Sequence, residues 1–354
     1  MEERSEVTTM LQLMLQPAFR VEKGVISHVN DAAAACFVRA GQSMESLIAA
    51  GAEEYAEFSQ GSLYLTLSLC GRQVGACVTR VENGDIFILE NSDEQPQLQA
   101  MALAATALRE PLTGLMSLAD QMLPAMDKED ATLQSQAAQM NRRLYQMLRI
   151  VSNMSDAAQY SQSQASVEYV EISAFLEEIF QKTAALAQAA GIRLEYELPR
   201  ESISTLADPD KLERAVYNML SNAIKFASAG SAIQAKLVCK NERLHICVTN
   251  DHPGPQGNIY NRFLREPALE DPRSGVGLGM VLVRSVAALH GGAVLADHTP
   301  NGTRVTLTIP VKQRGGSQVR SPILHIDYTG ERDHGLTELA DVLPATCYST
   351  DKVN

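Results

Sequence analysis

Two long stretches of this chain carry apolar residues at three- and four-residue steps. Leu98, Met101, Ala105, Leu108, Leu112, Leu115 and Met122 form one series, and Leu133, Ala137, Met140, Leu144, Met147, Val151 and Met154 form the other. That period belongs to amphipathic helices. It predicts helices over 98–122 and 132–160, joined by a short loop that contains Asp127-Lys128-Glu129-Asp130. Two such helices carry more apolar face than they can bury against each other. Pairing with a second hairpin into a four-helix bundle would cover the excess, and so would packing on the chain's own other domains. Pro111, inside the first helix, is expected to bend it.

Upstream of the hairpin the period is two. Leu63, Leu65, Leu67 and Leu69 alternate as on a half-buried strand. Residues 19–22, a Lys23-Gly24 turn and Val25–Val29 predict a β-hairpin. A helix is expected over 30–38. Strands at 74–81 and 86–89, joined by Asn83-Gly84, complete a meander. Residues 8–92 therefore form a small α+β module. Downstream, helices are predicted over 170–187 and 208–227, with strands at Arg193–Glu197, near 233–249 and at 303–309.

The 208–227 helix carries candidate chemistry. Leu212, Ala215, Val216, Met219, Ala223 and Phe226 make one apolar face, with Asp208 as N-cap and Pro209 in the first turn. Asn218, Asn222 and Lys225 fall at i, i+4 and i+7 on another stripe. An amide oxygen can ligate Mg²⁺, and a lysine can neutralise phosphate. Further on, Arg273-Ser274-Gly275-Val276-Gly277-Leu278-Gly279-Met280 places glycines at alternate positions ahead of an apolar helix, Val281, Val283, Val286, Ala287 and Leu289, which Gly291-Gly292 stops. Backbone N–H groups in such a turn can close on an anion at a helix N-terminus. Alone, the stripe is a solvated helix face and the turn a tight turn; in order along one chain they point to a nucleotide site.

Composition narrows the classes. The chain has 354 residues, room for two or three domains, and a net charge of −12. With no long basic run, a nucleic-acid surface is not expected. Six cysteines, Cys36, Cys70, Cys77, Cys239, Cys247 and Cys347, lack C-x-x-C spacing and read as small apolar residues in a reducing compartment. No run approaches the ~20 apolar residues of a membrane span, and the acidic N-terminus is not a signal peptide. The expectation is a cytoplasmic protein with a cytosolic stimulus.

At the residues just quoted, the chain resembles the ATP-binding domain of sensor histidine kinases, within the GHKL ATPase group. The resemblance covers roughly residues 95–312. It implies ATP and Mg²⁺ as cofactors, with Asn222 chelating the metal and Asn218 and Lys225 facing the nucleotide. It also implies that Gly275, Gly277, Leu278 and Gly279 border the phosphates under a lid. Residues 259–265 resemble the aromatic box of that lid, and residues 301–310 the closing strand. Asn250 stands where the family's adenine-reading Asp is expected, followed by Asp251, His252 and Gly254. Its amide oxygen can still accept from adenine but carries no charge. Asp251 would compensate by a register shift, and His252 puts a ring where a glycine was expected.

Residues 103–112 resemble the phosphoacceptor box of these kinases. Thr106 stands in place of the phosphorylated His, Ala107 in place of an acidic base, and Glu110 in place of a phosphatase Thr or Asn. A hydroxyl without a base is a poor nucleophile near neutral pH. All seven histidines lie outside the hairpin. Residues 8–92 resemble a PAS sensor domain. The implied architecture is multidomain α+β: a PAS-like module at 8–92, a dimerisation hairpin at 95–162, a GHKL-type α/β sandwich at 168–312, and an extension at 313–354. Within that extension 323–328 reads as a strand and 335–343 as a short helix, with docking on the chain's own surface expected. Partners implied are a second copy of the chain and either a response regulator or an active histidine kinase. Three readings stay open: a pseudokinase that binds ATP, an active kinase using Thr106 or a partner in trans, and a non-enzymatic scaffold.

Overall fold

The computed structural model describes residues 9–90, 94–122, 130–160, 165–252, 278–299, 302–312 and 332–349. Strands β1 (Ala18–Glu22) and β2 (Val25–Val29) pair antiparallel around the Lys23-Gly24 turn. Asn30 then caps helix α1 (Asp31–Ala35), its Oδ1 accepting from the backbone N–H of Ala33 and of Ala18. The helix is shorter than the expected 30–38. Phe37 turns to a φ of +66° and sends Val38 back into the core. Strand β3 (Ile48–Ala50), helix α2 (Ala52–Glu57) and strands β4 (Ser62–Leu69), β5 (Arg72–Val81) and β6 (Gly84–Leu89) complete this part. Phe19 and Phe87 stack in its core with ring centroids 5.0 Å apart.

The sheet does not end with this module. Strand β12 (Ala293–Thr299) pairs with β4, with Val294 opposite Tyr64, Leu295 opposite Leu63 and Ala296 opposite Ser62. One 11-stranded sheet results, in the order β2-β1-β6-β5-β4-β12-β13-β11-β10-β8, with β3 attached to β4. Its remaining members are β8 (Arg193–Glu197), β10 (Ala232–Lys240), β11 (Arg243–Asn250) and β13 (Gly302–Pro310). This corrects the half-buried reading of β4. Its polar alternates, Ser62, Tyr64 and Thr66, are buried too. Tyr64 belongs to the core that also holds Leu98 and Ala105 of the helical hairpin. Gly61 marks the seam: its φ is +82°, and a Cβ there would lie 2.1 Å from the Ala296 carbonyl oxygen. Glu54 of α2 crosses the seam to Arg243 and the Thr308 hydroxyl, and Glu90 pairs with Arg284 at 3.2 Å.

The hairpin forms as expected, as α3 (Glu94–Met122, with Pro111 inside it) and α4 (Ala131–Tyr160). Leu98, Ala105, Leu112, Met116 and Ala119 of α3 are buried, whereas Leu103, Leu108, Leu115, Leu118 and Met122 are exposed. A two-stranded sheet, β7 (Glu168–Glu171) with β9 (Ser204–Ala207), flanks helix α5 (Ile172–Ala189). That helix starts two residues later than expected, because the Glu171 carboxylate caps it by accepting from Ser173 and Ala174 N–H. Helices α6 (Pro209–Phe226) and α7 (Gly279–Leu289) pack on each other and on the sheet. In the tail, helix α8 spans only His334–Glu338, and a 3-10 turn follows at Ala345–Tyr348. The expected strand at 323–328 lies outside the described residues. Leu339, Ala340, Leu343 and Tyr348 are fully buried, so the tail docks on the chain itself. No helix among the described residues is long and apolar enough to cross a membrane.

Candidate functional site

Helix α6 supplies the candidate stripe, and its ends are pinned. The Asp208 carboxylate accepts from Lys211 N–H at 3.2 Å as the N-cap and pairs with the Lys211 ammonium. The Asp208 N–H donates to His290 Nε2 at 2.9 Å, and His290 Nδ1 lies 2.7 Å from the Val286 carbonyl. Nε2 therefore accepts and Nδ1 carries the proton, a neutral ring. Burial holds its pKa below the usual 6.5. This histidine ties the C-terminus of α7 to the N-terminus of α6.

The three stripe residues differ in access. Asn222 and Lys225 are half-buried, but Asn218 is only 1% exposed. The Asn218 Nδ2 donates to the Arg214 carbonyl at 2.8 Å. Its Oδ1 faces Arg149 Nη2 of α4 at 3.4 Å. Gly279, the first residue of α7, approaches the same oxygen. A Cβ there would lie 2.8 Å from it, so this glycine of the turn is required by packing of α7 on α6. Leu278, just before it, is buried. Gly254, Gly275, Gly277 and the lid box at 259–265 lie outside the described residues.

Asn250 closes strand β11 and is buried. Its Nδ2 donates to the Ala223 carbonyl near the end of α6, and its Oδ1 accepts from Thr303 N–H, both at 3.3 Å. Each end of the amide is thus matched to a backbone group of opposite character. An aspartate could not make the first of these bonds while ionised. Asp251, the next residue, bonds to the loop that follows α6. Its exposed carboxylate accepts from Ser228 N–H at 3.0 Å and the Ser231 hydroxyl at 3.2 Å, and these bonds hold its pKa down. The His252 ring sits 6.5 Å from that of Phe226.

In the hairpin, Thr106, Ala107 and Glu110 are all exposed. The Thr106 hydroxyl donates to the Ala102 carbonyl of its own helix at 2.9 Å.

A polar cluster that sequence reasoning missed joins hairpin, ATPase helix and tail. Arg149 Nη1 pairs with Asp341 at 2.7 Å. Arg214 pairs with Asp156 at 2.7 Å and with Glu338 at 2.9 Å. Burial raises the Asp156 carboxyl above its ordinary pKa. Arg149, a cation within the buried face of an amphipathic helix, was the available signal. Its acidic partner lies almost two hundred residues away in the sequence, and no local pattern reports that pairing.

Residues 207–313 match the family described as histidine kinase-, DNA gyrase B- and HSP90-like ATPase. Sensor protein KdpD of Escherichia coli (strain K12) is 28% identical over 226 residues, 61% of this chain and 25% of that protein. Sensor histidine kinase CusS of Escherichia coli O157:H7 is 25% identical over 213 residues, 58% of this chain and 44% of that protein. Adaptive-response sensory kinase SasA of Crocosphaera subtropica is 26% identical over 240 residues, 63% of this chain and 62% of that protein. The chain thus spans less than two thirds of the length of each of these relatives. The crystal structure of full-length ShkA in complex with AMPPNP shares the fold with a TM-score of 0.51, at 22% identity over 62% of this chain and 47% of that one. Residues 207–313 thus carry an ATPase domain of this family, and about 60% of the chain is similar to sensor histidine kinases.

Proposed function

We propose that this chain is an ATP- and Mg²⁺-binding member of two-component signalling that has lost phosphohistidine chemistry, a pseudokinase. The carrying observation is Thr106. It occupies the position the family resemblance gives to the phosphorylated His, and its hydroxyl is spent on the Ala102 carbonyl. Ala107 beside it offers no base, so nucleophile and activation are lost together.

The nucleotide site is a fair fit at one end and altered at the other. Half-buried Asn222 and Lys225, with the Gly279 approach beside them, suit a metal–phosphate group. At the base end, the Asn250 amide is consumed by Ala223 and Thr303 and Asp251 is held by Ser228 and Ser231. Adenine recognition therefore has fewer protein groups to use. When bound, ATP supplies a transferable phosphoryl group; this chain's residues hold it without offering an acceptor. The exposed leucines of α3 support self-association through the hairpin. A response regulator or an active kinase is the proposed partner, and residues 8–92 are the proposed PAS-like sensor module.

Incubation with γ-labelled ATP and mapping of phosphate tests this. The expected result is no acid-labile phosphohistidine in the hairpin, with Thr106→His plus Ala107→Glu restoring autophosphorylation. Phosphate mapped to a histidine of the unmodified protein refutes the pseudokinase reading, and phosphate on Thr106 selects an active kinase of another type.

A further inference from the structure

We infer that the docked tail, residues 332–349, competes with nucleotide for Asn218, acting as a built-in strap that closes the site. The inference rests on the nucleotide reading above.

The tail is held on two sides. Helix α4 reaches its backbone: Asn141 Nδ2 donates to the Tyr348 carbonyl at 3.1 Å and Gln146 Nε2 to the Ala340 carbonyl at 3.2 Å. The ATPase domain holds its start, through Lys182 with Asp333 at 3.0 Å and Glu213 with His334 at 3.2 Å. Between them, buried Glu338 sits against two arginines from different elements, Arg214 of α6 at 2.9 Å and Arg149 of α4 at 3.8 Å. One carboxylate thus pins hairpin and ATPase helix together. Asp341 takes a second arm of Arg149 at 2.7 Å.

The remaining arm of Arg149 points at the Asn218 oxygen, whose amide nitrogen is already committed to the Arg214 carbonyl. Both polar ends of Asn218 are occupied, and almost none of its surface is open. A nucleotide seated against Asn218 must displace Arg149. Arg149 cannot move away without leaving Asp341 and Glu338, and those ion pairs help to hold the tail to α4 beside the Asn141 and Gln146 bonds. Tail docking and nucleotide binding therefore oppose each other, and the coupling is reciprocal.

The test uses the full chain. Calorimetry with Mg·ATP compares the unmodified protein with Glu338→Gln/Asp341→Asn, which keeps side-chain volume and removes both tail charges. The variant is expected to bind about tenfold more tightly, within the usual range of such couplings. Equal or weaker binding by a folded variant overturns the strap and leaves the nucleotide reading intact. A second measurement needs no substitution: hydrogen exchange of 332–349 with Mg²⁺ alone and with Mg·ATP. Loss of protection on adding Mg·ATP supports the strap, and unchanged or greater protection with nucleotide bound refutes it. If neither protein binds nucleotide at millimolar concentration, the nucleotide reading itself fails, and the strap with it.

Discussion

Asn250→Asp restores the acid that the family resemblance expects, at nearly constant volume, and the structure assigns it a cost. The bond from Nδ2 to the Ala223 carbonyl is lost, and a carboxylate oxygen is left facing that carbonyl across 3.3 Å in a buried site. The bond from Thr303 N–H survives. A lost hydrogen bond is worth about 1 kcal/mol, and a buried charged oxygen with no donor adds about 1–3 kcal/mol, so a loss of roughly 2–4 kcal/mol is expected near pH 7.5. The sign of the pH dependence follows. Burial and the facing carbonyl raise the folded-state pKa of the new carboxyl above its unfolded value. The penalty is therefore complete above the folded-state pKa and is relieved as pH falls through it, because the protonated acid can donate to Ala223. Urea denaturation at pH 7.5 and pH 5, read by circular dichroism, should show the deficit of this variant shrinking at the lower pH. Asn250→Ala, which deletes both bonds without adding a charge, should keep a constant deficit. Equal stability of Asn250→Asp and the unmodified protein at pH 7.5 would refute a stabilising bond from Asn250 to Ala223, and a pH-independent deficit would refute the electrostatic origin of the penalty.

Gly279→Ala puts a Cβ 2.8 Å from the Asn218 oxygen. Overpacking of this kind costs about 1–3 kcal/mol, so the midpoint of urea denaturation should fall; an unchanged midpoint contradicts the close approach. His290 is held neutral by burial. With its folded pKa below the unfolded value, its stabilising contribution is full above pH 6.5 and is lost as pH drops below it. His290→Gln should flatten this part of the stability–pH curve between pH 7 and 5, and an identical slope would dismiss the role. Leu115, 52% exposed on α3, should anchor a hairpin dimer. Leu115→Lys buries an unpaired charge there and should shift light scattering toward the single-chain mass; a monomeric unmodified protein would remove the basis for that dimer.

What was legible in the sequence was local. Helix α6 came with its N-cap, its proline and its apolar face in one continuous stretch, and Asp208 caps it as expected. The turns at Lys23 and Asn83 likewise show in the positive φ of those residues. The seam between β4 and β12 was not legible, because the partners lie some two hundred residues apart. Strict alternation in β4 reported one buried face and was silent on the second. Glu171 misled by adjacency, since a residue that caps a helix is easily counted inside it.

The site divides along the same line. Asn218 looked like a ligand because its spacing to Asn222 and Lys225 is helical, and spacing fixes only which stripe a side chain occupies. Its access is set by Arg149 and Gly279, from two other elements. Asn250 looked like a weakened adenine reader, yet an amide differs from an acid by being a donor as well. The structure uses that donor on a helix-end carbonyl, which an ionised acid would repel. The substitution thus carries its own structural logic. Helix α4 gives the sharpest case. Its periodic apolar face was the argument for a second hairpin, yet the tail covers a neighbouring stripe that the period did not mark, Asn141, Tyr145 and Arg149, with Tyr145 and Tyr348 rings 5.2 Å apart. Periodicity shows that a face will be buried, while the covering surface is chosen by shape and charge far away in the chain. Of the residues that the period marked, Leu108, Leu115 and Met122 of α3 and Met140 and Met147 of α4 remain exposed, and the case for self-association rests on them.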